Sequence, residues 1–371
     1  MTNRTNEMIV STAQADGNLV VELVEAPVPQ PKANEVLVEM EAAPINPSDL
    51  GLLFGAADLD NAEFSERRIV APMSPAMTAS VQKRHGEAMP VGNEGAGRVV
   101  EAGSDPAAQA LMGKRVACLP GGAYARYRIA DAATCMPLPD DVTAEQGAAA
   151  FVNPLTALGF VETMKRDGGK ALVHTAAASN LGQMLLRICL EDGIDIVNVV
   201  RSDAQVRILK DIGANHALNM TEDGYEDALT EAIAATDAFT AFDPIGGGKQ
   251  LGRIMSAMEK VASRDEAFSR YGSNRMKRGY IYGLLDNGPI VIDRFFGFSW
   301  SVSGWLLFDF LQSVSADVKQ RMYARVMSGL TTTFASHYSD RVSLEGMLTR
   351  DAVMAYNARR TGEKFLVLPQ A

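Results

Sequence analysis

Hydrophobic and polar positions change their rhythm about 140 residues into the chain. Glu35 to Ala42 alternates apolar with acidic side chains, the pattern of a half-buried strand. Gly92 to Gly103 and Gly113 to Val142 predict short strands broken by turn residues. Phe54 to Pro90 shows no clear period and reads as an insertion over a site or a surface excursion. From about Thr143 helical and strand patterns alternate, the mark of a parallel sheet. Ala171 to Thr175 is a short apolar strand. Leu181, Met184, Leu185, Ile188 and Cys189 then recur at helical spacing, and Gly193 ends that helix. Ile194 to Val200 predicts a second buried strand, and Gln205 to Ile212 a second helix stopped by Gly213. Ala238 to Phe242 and Tyr280 to Leu284 read as later strands, Trp305 to Met327 as mostly helical, and Arg341 to Leu368 as short elements.

Length changes this picture: 371 residues are too many for one ordinary core and suit two domains. Charge narrows the partners. A net charge of −10 gains nothing from a phosphate backbone, which argues against nucleic acid. One basic cluster, Arg264, Arg270, Arg275, Lys277 and Arg278, reads first as a solvated loop and second as an anion site. Cys118, Cys135 and Cys189 are scattered, with neither metal-ligand spacing nor a disulfide framework, so a reducing cytoplasm is expected. Met1 to Val10 carries no apolar signal segment. Phe295 to Leu311 is broken by Gly297, Gly304 and Asp309, so no membrane span is expected.

The most specific local feature is a strand, a turn and a helix. Ala171 to Thr175 leads into Ala176-Ala-Ala-Ser-Asn-Leu-Gly182, with Ala177, Ser179 and Gly182 at the three glycine positions of a dinucleotide fingerprint. Small residues let the backbone approach a pyrophosphate, and the helix start offers N–H groups and a positive dipole end. A tight turn without a ligand would give the same pattern. The second strand sharpens the reading. Where a carboxylate would bind the ribose 2′-hydroxyl of NADH, Val199-Val200 run into Arg201 and Ser202. A guanidinium pairs with a 2′-phosphate, which favours NADPH. The competing role for Arg201 is a surface ion pair with Asp203.

Further motifs follow in order: Ala42-Ala-Pro-Ile-Asn-Pro-Ser-Asp49, Gly92-Asn-Glu-Gly-Ala-Gly97, Gly121-Gly-Ala-Tyr-Ala125, Asn153-Pro-Leu-Thr-Ala157, the fingerprint, Asp243-Pro-Ile-Gly-Gly247, Tyr282-Gly283, and Lys364 in a closing Gly-Glu-Lys-Phe-Leu-Val. Together they resemble medium-chain dehydrogenases/reductases of the zinc-independent quinone oxidoreductase and 2-enoyl reductase branch. The resemblance implies an α/β fold: a Rossmann doubly wound parallel sheet plus a GroES-like β-rich catalytic domain. Residues 1–142 and 335–371 would form the GroES-like domain and 143–334 the NADPH-binding domain. It implies that Asn46, Asp49, Asn153 and Thr156 line the nicotinamide side, with Asn46, Asp49 and Thr156 in the catalytic role. Ala177, Ala178, Ser179, Asn180, Leu181 and Gly182 would hold phosphates, and Arg201 with Ser202 the 2′-phosphate. Asp243, Tyr282, Gly283, Trp305 and Lys364 would complete the cofactor groove. A homodimer through the last Rossmann strands, near Val302 to Trp305, is implied as well.

The departures carry chemistry too. Zinc-dependent members have Cys where Asn46 stands, His where Asn93 stands and another Cys close to Asn153. Neutral amides are poor zinc ligands, so no metal is expected. The enoyl reductases carry a proton-donating Tyr where Ala57 aligns. Without a Lewis acid, the small-molecule substrate should already be a good hydride acceptor, such as a quinone or an α,β-unsaturated carbonyl. The alternatives are a 2-enoyl thioester reductase and a non-catalytic NADPH-binding sensor. Several residues also have plainer roles available: Asn46 to Asp49 as a capped turn, Tyr124 and His174 as packing residues, Trp300 and Trp305 as packing or dimer residues, and Lys364 as a solvated tail lysine.

Overall fold

A computed structural model describes residues 5–119, 121–292 and 296–371. The chain divides into two compact units, 1–152 with 323–371, and 153–322.

The first unit is β-rich. A five-stranded sheet runs in spatial order Glu63–Ser65, Arg68–Pro72, Asn18–Pro27, Thr5–Ala13 and Met89–Pro90. A second sheet orders Met136–Pro137, Arg115–Cys118, Gly95–Ala102, Glu35–Pro44, Phe365–Val367 and Asp340–Val342, with Tyr127–Asp131 also pairing against Glu35–Pro44. Val36, Val38 and Met40 alternate into the core beside Val99, Val116, Phe365 and Val367. The tail joins the N-terminal part because Phe365–Val367 runs antiparallel to Glu35–Pro44, with Leu366 opposite Pro44. The aperiodic stretch 54–90 is not a mere excursion. It holds the strands Glu63–Ser65 and Arg68–Pro72 and the helix Pro75–Ser80, whose start is capped by Ser74. Elements this short display few full periods, so no clear rhythm shows in the sequence.

The second unit carries six parallel strands in the order His216–Asn219, Asp195–Val200, Ala171–Thr175, Thr240–Asp243, Lys277–Ile281, Trp300–Gly304. By chain order this is 3-2-1-4-5-6, the doubly wound arrangement. Its switch point lies between Ala171–Thr175 and Thr240–Asp243, and ligands bind such sheets at the carboxyl ends of those strands. The helix Asn180–Asp192 starts at Ser179, whose Oγ accepts from the Gly182 N–H, and ends at Gly193 in the left-handed region at φ 65°. That region favours glycine at a helix end.

One expected strand is corrected: the fifth runs over Lys277–Ile281, ahead of the expected Tyr280 to Leu284. The charges at its start hid it. Lys277 is fully buried, its Nζ 2.5 Å from Glu259, and Ser273 donates to the same carboxylate through N and Oγ. Trp305 to Met327 resolves into two helices, Leu307–Ser313 and Ala316–Ser328.

Candidate functional site

The first unit gathers a polar cluster in an apolar setting. Asn46 stands at the start of the short helix Pro47–Leu53, where Asp49 Oδ2 accepts from the Asn46 N–H at 2.8 Å. The other Asp49 oxygen accepts from the Asn93 N–H at 2.8 Å. Asn93 donates its own amide to Ser48 Oγ. Asn46 Nδ2 donates to Glu94 Oε1 at 2.8 Å, and Glu94 Oε2 accepts from the N–H groups of Phe151 and Val152 at 2.9 Å each. Asn46, Asp49 and Glu94 are all buried. Burial pushes Asp49 up to about 7, against the pull of the Asn46 and Asn93 N–H groups. Burial also raises Glu94, opposed by the nearby Lys364 charge. Lys364 Nζ is covered from solvent and has no hydrogen-bond partner among the described residues. Burial brings it down to about 8, while Glu94 and Asp49 pull it upward. Asn46 Oδ1 is likewise buried and unpartnered among those residues. The cluster can hold or move a proton and can present an amide oxygen and a cation to a ligand.

The second unit brings the phosphate-side residues to the switch point. Ala176 takes a left-handed φ of 48°, an uncommon conformation for a residue with a Cβ and one that concentrates at functional sites. The Ala177 N–H donates to the Val199 carbonyl of the neighbouring strand end. A Cβ on Gly182 would lie 2.2 Å from the Ala177 carbonyl oxygen, so only glycine lets the helix back onto the turn. This is the third role of the fingerprint glycines. Arg201 follows the second strand and is exposed, and its N–H donates to Gln205 Oε1. Ser202 caps the helix Asp203–Ile212. The alternative partner of Arg201 is engaged elsewhere, since Asp203 accepts from Asn219 at 2.8 Å. No ion pair to Arg201 appears among the described residues. Asn153 and Thr156 lie one turn apart, both buried, on the helix Val152–Arg166.

Four further residues named from the sequence, Asp243, Tyr282, Gly283 and Trp305, are tied into the unit itself. Asp243 accepts from the Thr175 hydroxyl and from the N–H groups of Ile245 and Gly246, joining the ends of the two switch-point strands. The Tyr282 hydroxyl meets His174 Nε2 at 2.7 Å, and burial drops His174 to about 3, so it stays neutral. Trp305 packs on Phe160 and donates Nε1–H to Thr163 at 3.0 Å. Gly283 backs onto Pro244. Tyr124 is buried, its hydroxyl donating to the Pro44 carbonyl.

Two readings from the sequence need correction. Four of the five basic residues are ion-paired instead of standing free for an anion, Arg264 with Glu231, Arg275 with Asp237, Lys277 with Glu259 and Arg278 with Asp167, and Arg270 lies over the Tyr271 ring. Lys364 is no solvated tail lysine, because its Nζ is covered. Sequence reasoning also passed over Glu94. Its signal was a single carboxylate inside the glycine-rich run Gly92 to Gly97. Such a charge is buried only when its oxygens are satisfied.

Among the described residues, no group of three His, Cys, Asp or Glu side chains could hold a metal ion. The donor set itself fits zinc poorly. Asn46 turns an N–H donor toward Glu94, and the Lys364 amine beside the cluster, where charged, would repel a second cation. No helix among the described residues is long and apolar enough to cross a membrane.

The alcohol dehydrogenase GroES-like domain family matches residues 32–140. A mitochondrial enoyl-[acyl-carrier-protein] reductase of Xenopus tropicalis is 30% identical over 207 residues, 54% of this chain and 52% of that protein. A quinone oxidoreductase of Mus musculus is 25% identical over 214 residues, 57% of each chain. The matched region thus spans about half the length of these curated relatives. Among solved structures, a Mesorhizobium loti protein provisionally named an NADPH:quinone reductase covers 100% of both chains, with 26% identity and a TM-score of 0.75. The Escherichia coli quinone oxidoreductase complexed with NADPH shares the fold, with a TM-score of 0.67 at 18% identity over 99% of this chain and 100% of that one.

Proposed function

We propose, for a chain that belongs to the medium-chain dehydrogenase/reductase family, an NADPH-dependent reductase that passes hydride to a quinone or an α,β-unsaturated carbonyl without zinc. The observation that carries the cofactor half is Arg201. It stands exposed at the end of the second Rossmann strand, and Asp203 is occupied by Asn219. There a guanidinium favours a 2′-phosphate. The turn 176–182 and the start of its helix would hold the pyrophosphate, and the Gly182 approach to Ala177 fits that use. When bound, the reduced nicotinamide supplies the hydride. Asn46 and Asp49 would orient the ring, with Asn153 and Thr156 as its further neighbours.

The quinone or enone half rests on the amides at positions 46, 93 and 153 and on the cation at 364. A conjugated acceptor spreads the incoming charge and needs positioning more than a Lewis acid. An enoyl thioester reductase is the second reading, favoured by the relatives named for that activity. Two observations count against it. Ala57, which packs against the core, stands where the resemblance to enoyl reductases implies a proton-donating tyrosine, and four of the five residues of the basic cluster are ion-paired within their own unit.

That none of Cys118, Cys135 and Cys189 is in a disulfide supports a reducing compartment such as the cytoplasm. A second copy of the chain is the proposed partner. The strand Trp300–Gly304 ends its sheet, and Leu284, Phe298, Leu306 and Phe308 are exposed near it.

Following NADPH oxidation with a small quinone, a small enone and a crotonyl thioester decides among these readings. Turnover on the first two with little on the third supports the proposal. Preference for the thioester would replace it with the second reading. Tight NADPH binding without turnover on any acceptor would leave a sensor.

A further inference from the structure

Two of the three cysteines, none of which is in a disulfide, lie on neighbouring segments at a sheet edge. Cys118 closes the strand Arg115–Cys118, and the two-residue edge strand Met136–Pro137 pairs with it antiparallel, Met136 opposite Ala117 and Pro137 opposite Val116. Cys135 comes next in line with an extended backbone, φ −96° and ψ 129°. Carrying the register on by one residue sets Cys135 opposite Cys118.

The hydrogen-bond phase tells which kind of pair this is. Leu138 donates its N–H to the Arg115 carbonyl at 2.9 Å. Positions 115 with 138 and 117 with 136 are therefore the hydrogen-bonded pairs. Pro137, which has no N–H to give, falls at a non-bonded one. Cys118 and Cys135 then form a non-hydrogen-bonded pair. In such pairs the Cα atoms stand about 4.5 Å apart and both side chains leave the same face. Disulfides span Cα separations of roughly 4.4–6.8 Å. Both thiols lie in one apolar cluster, and the closeness of Cys135 adds to the burial that holds the Cys118 thiol protonated.

We propose that Cys118 and Cys135 form an oxidative modification site, which closes to an intrachain disulfide when a small disulfide oxidant reaches the protein. Cys135 reacts first. It is the less covered of the two, and its edge strand of two residues can open locally. Its thiolate attacks one sulfur of the oxidant, whose S–S bond breaks and releases one small thiol. The Cys118 thiolate then attacks the Cys135 sulfur of the mixed disulfide and releases the second. Two protein S–H bonds are lost and one S–S bond forms. The oxidant is reduced to two thiols, which carry the two protons. The closed bridge would sit beside the site, because Cys118 lies opposite Gly95, the residue after Glu94. Burial lifts Cys135 to about 12, so closure is slow at neutral pH. Its rate should rise about tenfold per pH unit as the thiolate fraction grows.

The test incubates the full chain with oxidised glutathione at pH 7, 8 and 9, quenches in denaturant, and counts and maps the free thiols. The expected result is a fall from three thiols to one, a peptide linking 118 to 135, and Cys189 still in the thiol form. Dithiothreitol should restore all three. The variants C118S and C135S should each show no linked peptide. Retention of three thiols, a stable glutathione adduct on a single cysteine, or loss of Cys189 at the same rate would overturn the proposal. Should a variant fail to fold, the unaltered chain still decides, because a rate independent of pH would also overturn it. The readout is a thiol count, so it stands or falls apart from the reductase reading.

Discussion

Lys364 stands opposite Asn46 just beyond the end of an antiparallel ladder. Leu366 pairs with Pro44, and the Ile45 N–H donates to the Phe365 carbonyl at 3.0 Å, which carries the register on to 364 and 46. Neither Lys364 Nζ nor Asn46 Oδ1 has a hydrogen-bond partner among the described residues. A buried cation and a buried amide oxygen thus come from facing backbone positions, and Lys364 feels the charges of Glu94 and Asp49.

This arrangement predicts how stability depends on pH. Asp49 is raised from an ordinary 3.8 to about 7, so its contribution is fully present below 3.8 and is lost as pH rises through 7. Lys364 is lowered from 10.5 to about 8, so its contribution is present above 10.5 and is lost as pH falls through 8. The two together stabilise the fold least between about 7 and 8. Asp49→Asn should flatten the acid side of the profile and Lys364→Met the alkaline side, each by up to about 4 kcal/mol. Urea midpoints measured from pH 4 to 10 check this, and parallel profiles for all three proteins would refute it.

Glu94 organises the cluster, and its removal should be costly. Glu94→Ala leaves the Phe151 and Val152 N–H groups and the Asn46 amide without their acceptor, and Lys364 without its counter-charge. A loss of about 3–5 kcal/mol is expected. Glu94→Gln keeps one acceptor oxygen but turns an NH2 toward a donor, for about 1–3 kcal/mol. Equal losses in the two variants, read from chemical denaturation, would show that the charge plays no part.

The Rossmann half was the more legible. Gly193 and Gly213 ended helices where expected, and the fingerprint turn stands at the switch point, because those signals are local backbone chemistry. The fifth strand was misplaced because a buried Lys277 looks like a surface lysine until Glu259 and Ser273 are known to face it. The polar cluster was half legible for the same reason. Asn46 and Asp49 announce themselves as a capped turn, whereas Glu94 and Lys364 matter only once a sheet brings positions 94 and 364 near 46. Pairings that distant in sequence leave no periodic trace.

Gly182→Ala tests the turn. The added Cβ would meet the Ala177 carbonyl at 2.2 Å, and backbone cannot yield as a side chain does. The helix must move off the strand end, at about 1–3 kcal/mol. NADPH binding should weaken at least tenfold. Gly193→Ala is the control, because no atom lies near its Cβ position and only its left-handed φ is strained. It should lower the melting temperature without changing the affinity of the folded protein. Equal binding losses in the two variants would mean that the turn does not touch the phosphates.

Arg201→Asp tests cofactor choice. The side chain is exposed and forms no ion pair among the described residues, so its loss should leave the melting temperature within about 1 °C, as for most surface substitutions. Stability and binding are therefore separable here. A bidentate guanidinium–phosphate contact is a strong charge-assisted one, and a carboxylate in its place repels the 2′-phosphate. The NADPH dissociation constant should rise about 10- to 100-fold, equivalent to about 1.4–2.7 kcal/mol. NADH has no 2′-phosphate to lose and should bind equally well or better, because the new carboxylate can accept from the ribose hydroxyl. Fluorescence titration of both cofactors at two salt concentrations gives the answer. The NADPH advantage of the unaltered chain should shrink as salt screens the contact. Parallel weakening of both cofactors would place Arg201 outside the 2′-phosphate pocket and remove the main support for NADPH over NADH.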